Sequence, residues 1–245
     1  RRQTLTFLRK DIPLSFWPFR FFFPFRSAGS LPPLTGLLPG LSLSLTEAGD
    51  AAAERPLRIL AFGDSLVAGF AVSSKAAFPV RLEKALRGMG FAIELINAGV
   101  PGDTTAGGRA RLEQALACEP DLVILELGAN DNLLGLDPSV TESNLDAMLV
   151  RLKERDIAVL LAGIHPLRDL GENYRADLAA VFSRLAKKYR APLYPDFLAG
   201  VSGRPELNKA DGIHPNPKGI DEIVRRVTPL VVDMLQRVQG SLDRG

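Results

Sequence analysis

The sequence has one cysteine and two histidines in 245 residues. The lone Cys118 cannot close an intramolecular disulfide, and no Cys/His spacing of the kind that holds a structural metal occurs, so a zinc-built fold is excluded. Cys118 ends the apolar-periodic segment LEQALACE and reads as a small buried hydrophobe, which leaves the redox compartment open. Nucleotide-binding signatures are missing too. No G-x-G-x-x-G follows a strand, and the stretch from Gly102 to Gly108 has Gly108 where a phosphate loop requires Lys. The G-x-S-x-G nucleophile elbow is also absent, because Gly63 and Ser65 are followed by Val67. There is no internal repeat and no heptad array. Tryptophan and phenylalanine are scarce over most of the chain: Trp17 is the only Trp, and seven of the 13 Phe lie within residues 1–26.

Net charge is only +2, and its distribution says more than its size. Arg1, Arg2, Arg9, Lys10, Arg20 and Arg26 face a single Asp11, so residues 1–26 carry +5 and the remainder −3. A mildly acidic body argues against a nucleic-acid-binding domain, which requires a basic face to displace counterions from phosphates. The basic stretch precedes an uncharged, Leu-rich run from Ser27 to Thr46, and small residues follow, an order that resembles a secretory signal. Against a spanning helix stand Pro32, Pro33, Gly36, Pro39 and Gly40. Residues 1–56 are therefore read as a leader: an export signal, a disordered tail or misassigned start, or a segment that adsorbs to a membrane surface. Periplasmic or secreted localisation follows from the first, cytoplasmic from the second.

From Leu57 the pattern alternates short apolar runs with longer amphipathic ones, the rhythm of βαβ units and a parallel sheet. Strands are expected at Leu57 to Phe62, Phe91 to Asn97, Asp121 to Leu127, Ile157 to Ala162 and Pro192 to Tyr194. Helices are expected at Lys75 to Arg87, Arg109 to Leu116, Leu145 to Arg155, Ala176 to Tyr189 and about Lys218 to Val238. In such α/β sheets the ligand site lies outside the carboxyl ends of the strands, so the residues that follow strands are where chemistry belongs.

Those positions carry a consistent set of groups. Gly63-Asp64-Ser65-Leu66 follows the first strand, Asn97-Ala98-Gly99-Val100-Pro101-Gly102-Asp103-Thr104 the second, and Gly128-Ala129-Asn130-Asp131 the third. Asp211-Gly212-Ile213-His214-Pro215-Asn216 precedes the last helix. A serine hydroxyl becomes a competent nucleophile when a histidine accepts its proton and a carboxylate fixes the histidine's tautomer. Ser65, His214 and Asp211 are the candidates. A developing oxyanion requires donors fixed in advance, for which the amides of Ser65 and Gly102 and the Asn130 carboxamide are suited.

The four blocks, in this order, resemble the GDSL/SGNH hydrolase family, and most closely its bacterial acyl-CoA thioesterase, lysophospholipase and arylesterase group. They are ILAFGDSLVAGF at 59–70, NAGVPGDTTAGGRARL at 97–112, LELGANDNLLGLDP at 125–138 and ADGIHPNPKG at 210–219. The resemblance implies a flavodoxin-like three-layer α/β/α sandwich with a mostly parallel five-stranded sheet, making residues 57–240 the hydrolase domain. It further implies Ser65 as nucleophile, Asp211 and His214 as the rest of a triad, and Ser65, Gly102 and Asn130 as the oxyanion hole. The implied substrate is a small acyl ester or thioester, with no metal and no cofactor. One departure is Ala129, where the family often has Gly; its methyl matters only if that peptide adopts φ > 0.

The chain supplies its own decoy, since both histidines sit in Gly-Ile-His-Pro. His214 has Asp211 three residues earlier, whereas His165 has Ala162 at that place. His165 follows the fourth strand, at the active-site edge, and reads either as a residue lining the substrate site or as a plain solvated loop residue; the loop Gly163 to Tyr174 is expected to shape the acyl pocket. Two other functions use the same residues: a carbohydrate or peptidoglycan O-acetylesterase, and a non-catalytic domain that binds acylated ligands. Ser65, Asp211, His214 and Asn130 together speak against the second, because a binding domain does not require all four.

Overall fold

A computed structural model describes residues 55–242 of the chain. The leader reading of residues 1–56, with the localisation that depends on it, lies outside the described residues except for Arg55 and Pro56. Strands β1 (Leu57–Gly63), β2 (Ile93–Gly99), β3 (Leu122–Glu126), β4 (Ala158–Ala162) and β5 (Leu193–Tyr194) form one sheet. Its order is β2-β1-β3-β4-β5, and every pairing is parallel. Among the described residues, seven α-helices surround it: α1 (Ser65–Ala68), α2 (Phe78–Gly88), α3 (Thr105–Ala115), α4 (Ala129–Leu134), α5 (Pro138–Glu154), α6 (Glu172–Tyr189) and α7 (Pro217–Leu242).

The two-residue period of the strands divides the apolar side chains between two cores. Leu57, Ile59 and Ala61 of β1, Leu122 and Ile124 of β3, and Leu160 and Ala162 of β4 pack with Phe78, Leu82 and Leu86 of α2 and with Ile220, Ile223, Val227 and Val231 of α7. Leu60, Phe62, Val123, Leu125 and Leu161 face the other way, onto Leu112 of α3, Leu145, Met148 and Leu149 of α5, and Leu178, Val181 and Phe182 of α6. Both faces are buried, which is why the strands read as nearly continuous apolar runs. The flavodoxin-like three-layer sandwich implied by the sequence is the architecture found.

The expected elements are present with shifted ends. Helix α2 starts at Phe78, three residues later than the sequence suggests, because Ala77 is extended (φ −61°, ψ 145°) and Pro79 occupies the first turn, where its missing N–H leaves no bond unmade. Helix α3 starts at Thr105, four residues earlier. Gly107 and Gly108 weaken its propensity, but Thr104 caps it by accepting the Gly107 N–H, and Gly108 is bare because a Cβ there would lie 2.3 Å from Leu127 Cδ1. Helix α5 starts seven residues earlier than expected, behind the cap Asp137 with Pro138 in first place. Helix α4, read from sequence as a loop, is a short helix after Gly128.

Strand order places the site. The chain leaves β1 on one side to form β2, then crosses back to β3 on the other, so the loops after β1 and β3 diverge and open a crevice. Register makes the crevice flush, since Gly63 pairs with Gly99 and with Glu126, and Glu126 pairs with Ala162. Among the described residues no helix is long and apolar enough to cross a membrane.

Gly99 tests how tightly that edge is built. A Cβ there would lie 2.2 Å from the backbone N of Ala68 and 2.9 Å from the carbonyl of Asp64, so α1 would have to move. Gly99→Ala should lower stability by about 1–3 kcal/mol, as overpacking does. Gly88→Ala, which meets nothing within 4 Å at the end of α2, should leave stability unchanged or raise it by at most about 1 kcal/mol. Urea denaturation of the two variants beside the parent measures both.

Candidate active site

Ser65 is the first residue of α1, directly after β1 and its cap Asp64. Asp64 Oδ1 accepts the Leu66 N–H at 2.9 Å, and Gly69 (φ 78°) ends the helix after four residues. The turn holds the Ser65 hydroxyl at the sheet's carboxyl edge, 3.1 Å from His214 Nε2. His214 Nδ1 lies 2.8 Å from Asp211 Oδ2. The other Asp211 oxygen accepts the backbone N–H groups of Ile213 and His214, both at 2.9 Å, across the turn that Gly212 makes at φ 71°. These bonds, led by the His214 N–H, hold the Asp211 carboxyl down at about 2 although it is exposed.

The His214 turn is fastened from both sides. Lys209 N donates to the His214 carbonyl at 2.8 Å, and Asn208 and Pro215 form an antiparallel bridge. Asn216 Oδ1 then accepts the N–H groups of Lys218 and Gly219, capping α7, while its Nδ2 donates to the carbonyls of Glu206 and Asn208. The Phe70 ring packs on the imidazole at 4.9 Å between centroids.

Val100-Pro101-Gly102-Asp103 is a turn closed by Asp103 N–H to the Val100 carbonyl at 3.1 Å, with Pro second and Gly102 third at φ 81°. That is the type II arrangement, which requires a residue free to take positive φ in third place. The backbone N–H groups of Gly102 and Ser65 meet no acceptor among the described residues. Both residues line a cavity of about 320 Å³, together with Asn130, His214 and the apolar Leu66, Phe70, Pro101, Leu133, Leu167 and Ile213. Asn130 Nδ2 donates to Asp64 Oδ2 at 3.0 Å and to the Asp103 carbonyl at 2.8 Å, tying the loops after β1, β2 and β3 together. The positive φ before it falls on Gly128 (125°), while Ala129 is helical and buried, so the extra methyl is accommodated.

With a serine, a histidine and an aspartate in one hydrogen-bonded line beside free amide donors, the arrangement suits acyl transfer. Residues 61–221 match the GDSL-like lipase/acylhydrolase family. This chain belongs to that family. An arylesterase of Vibrio mimicus is 37% identical over 179 residues, which are 73% of this chain and 90% of the relative. Thioesterase 1/protease 1/lysophospholipase L1 of Escherichia coli K12 is 36% identical over 199 residues, 79% and 93% of the two chains. The crystal structure of AlinE4, an SGNH-hydrolase family esterase, superposes with a TM-score of 0.62 at 41% identity, covering 74% of this chain and 97% of that one.

In this acylhydrolase the structure brings Ser65, Gly102, Asn130 and His214 to one cavity, with Asp211 behind the imidazole. His165 does not join them. It is exposed and lines a separate cavity of about 150 Å³ with Arg168, Asp169 and Tyr174, so the reading that placed it in the substrate site is corrected. The cause is Asn132, whose Oδ1 accepts the N–H groups of Leu167 and Arg168 at 2.7 Å and whose Nδ2 donates to the Arg168 carbonyl. That grip turns Leu167 of the same loop, not His165, into the main cavity.

Two supporting residues lie within the quoted blocks at 97–112 and 125–138 but carry no role in the sequence reading. Arg111 of α3 bonds Asp103 Oδ2 at 2.7 Å, the Ala98 carbonyl at 2.8 Å and the Gly63 carbonyl at 2.9 Å, and stacks over the Phe62 ring. It thereby joins the ends of β1 and β2 to the Gly102 turn. Glu126, the last residue of β3, is fully buried beside Asp64, whose N–H reaches its Oε2 at 3.4 Å. A continuous apolar strand that ends on a carboxylic acid was the available signal for it.

The geometry fixes a tautomer. With an ionised Asp211 as acceptor, Nδ1 of a neutral His214 carries the proton and Nε2 is left as the acceptor facing Ser65. ¹⁵N NMR of the neutral enzyme should show a protonated Nδ1 and a pyridine-like Nε2. Asp211→Ala should let the tautomers exchange, and the two nitrogen shifts should average.

Proposed function

We propose that this chain is a serine ester hydrolase for acyl esters or thioesters, of the arylesterase, thioesterase and lysophospholipase type. The observation that carries the reading is the line Ser65–His214–Asp211 set against two unpartnered N–H groups in one apolar-walled cavity. The family and the names of the relatives support the same reaction class.

In this mechanism His214 Nε2 accepts the Ser65 proton as Oγ attacks the acyl carbon. The negative charge that develops on the carbonyl oxygen is received by the Ser65 and Gly102 N–H groups and by Asn130 Nδ2. Both hydrogens of that carboxamide are already engaged, by Asp64 and by the Asp103 carbonyl, so the oxyanion shares one of them. His214 then gives its proton to the departing alcohol or thiol, and the acyl group remains on Ser65. A water, deprotonated by His214 in turn, releases the acid. Asp211 stays ionised throughout and stabilises the imidazolium that forms twice per cycle.

The wall of the cavity favours an acyl chain over a small polar group. Leu66, Phe70, Pro101, Leu133, Leu167 and Ile213 supply mainly apolar surface, and the O-acetylesterase reading has no comparable support.

Initial rates on p-nitrophenyl esters from acetate to palmitate test the reading. Turnover should extend beyond acetate, Ser65→Ala should abolish it, and Asn130→Ala should lower kcat by about 10²–10³. His165→Ala should retain most of the activity lost in His214→Ala. An acetate-only profile would support the O-acetylesterase, and turnover surviving in Ser65→Ala would overturn the mechanism.

A further inference from the structure

Asp64 and Glu126 are two carboxyl groups buried against each other at the sheet edge, both with no exposed surface, and the mechanism above uses neither as an acid or base. Glu126 lies on the same face of β3 as Leu122 and Ile124, opposite Gly63 in register. A Cβ at Gly63 would lie 2.7 Å from Glu126 Oε2 and 2.5 Å from Val67 Cγ2. The first glycine of the Gly-Asp-Ser block thus leaves the space that the Glu126 carboxyl fills.

Two neighbouring carboxyls out of water do not both ionise, because like charges in a low-dielectric site repel strongly. Their partners decide which one holds the charge. Asp64 accepts from the Leu66 N–H at 2.9 Å and from Asn130 Nδ2 at 3.0 Å, donors that favour a carboxylate. Glu126 has one long contact from the Asp64 N–H, and its Oε1 is buried without a partner. The titratable and charged groups around the pair are His214, Asp103 and Arg111. The paired strand positions are Gly63 and Ala162, and α1 carries no charge. Arg111 is committed to Asp103 and to backbone carbonyls, so no cation neutralises a second charge.

We propose that Glu126 is a positioning residue: neutral and protonated, it donates to the Asp64 carboxylate, which in turn holds the Asn130 carboxamide and the Ser65 turn. The arrangement leaves one negative charge behind the oxyanion site where an ionised pair would place two. Burial in the first place, and then the Asp64 charge, push the Glu126 carboxyl well above the ordinary range, while burial moves Asp64 up to about 6. The upward push on Glu126 agrees with a proton resident there, and the two donors to Asp64 are what keep the charge on Asp64 at neutral pH.

This inference rests on the proposed role of Asn130, and its test separates the two. Infrared difference spectra between the parent and Glu126→Gln at neutral pH should show a buried carboxylic-acid C=O band in the parent that the variant lacks, a readout that does not depend on turnover. In kinetics, Glu126→Gln, whose amide also donates to Asp64, should keep kcat within about threefold of the parent. Glu126→Leu, similar in bulk but without a donor, should lose about 10- to 100-fold in kcat with KM little changed, a part of what loss of an oxyanion donor costs. Absence of the band, or a Glu126→Gln enzyme impaired more than tenfold, would overturn the proposal even if Glu126→Leu does not fold. So would a folded Glu126→Leu enzyme with undiminished kcat. Failure of the wider reading has its own mark, which is turnover persisting in Ser65→Ala.

Discussion

The flush ending of β1 between its two parallel neighbours is the constraint on which the site depends. Because Gly63 is level with Gly99 on one side and Glu126 on the other, the chain emerges from three adjacent strands at the same height and must turn in three directions within a few ångströms. Side chains on this edge would collide, and two of the three positions are glycine for different reasons. Gly99 is bare because the backbone of α1 crosses it, and Gly63 because the Glu126 carboxyl and Val67 occupy its side. Close approach, not conformational freedom, is what these glycines supply. The turn residue Gly102 is the contrasting case, with open space around it and a backbone conformation that disfavours other residues.

Once the loops are forced together, their polar groups must satisfy one another. Asn130 bridges Asp64 and the Asp103 carbonyl, Arg111 bridges Asp103, Ala98 and Gly63, and Asp131 accepts the N–H and hydroxyl of Thr105 while Asn144 donates to that same hydroxyl. Apart from the two that Arg111 makes to Asp103 and Ala98, these bonds join segments at least 26 positions apart, so the donors facing the cavity are set by a network and not by one loop. A network of this kind in a low-dielectric setting gives orientation, but its charges must balance locally. Arg111 balances Asp103. Asp64 has only neutral donors and a second carboxyl, and the resident proton on Glu126 makes that combination tenable.

Much of this was legible in the sequence because local rules and tertiary demands agreed. Short, mainly apolar runs of three to seven residues identified all five strands to within two residues at every end. The four chemical blocks could be read because each directly follows a strand or precedes a helix. What escaped was decided by packing at a distance. The start of α3 was hidden by Gly107 and Gly108, poor helix formers retained since Gly108 sits against Leu127 and Phe62. His165 looked like a site residue from its place after β4, and only the grip of Asn132 on the backbone at 167 and 168 shows why Leu167 enters the cavity instead. Glu126 was counted among apolar neighbours in a strand, and its significance arises from Gly63, which is 63 positions away.

The two halves of the catalytic arrangement are held by different physics, and the spacing of Asp211 and His214 follows from that difference. Ser65 and Asn130 are half-buried and rest on the fully buried Asp64 and Glu126, where tertiary hydrogen bonds are strong enough to fix them. The Asp211 side chain is 42% exposed, and there a Coulombic attraction to an imidazolium is screened and weak. A carboxylate brought to such a place from a distant loop would have little to hold it. Supplying acid and base from a single turn removes the difficulty: one Asp211 oxygen takes the N–H groups of Ile213 and His214, which leaves the other directed at Nδ1. Orientation is then a property of four consecutive residues and survives solvent exposure. Only the bond from His214 to Ser65, spanning 149 positions, still relies on the fold to bring its ends together.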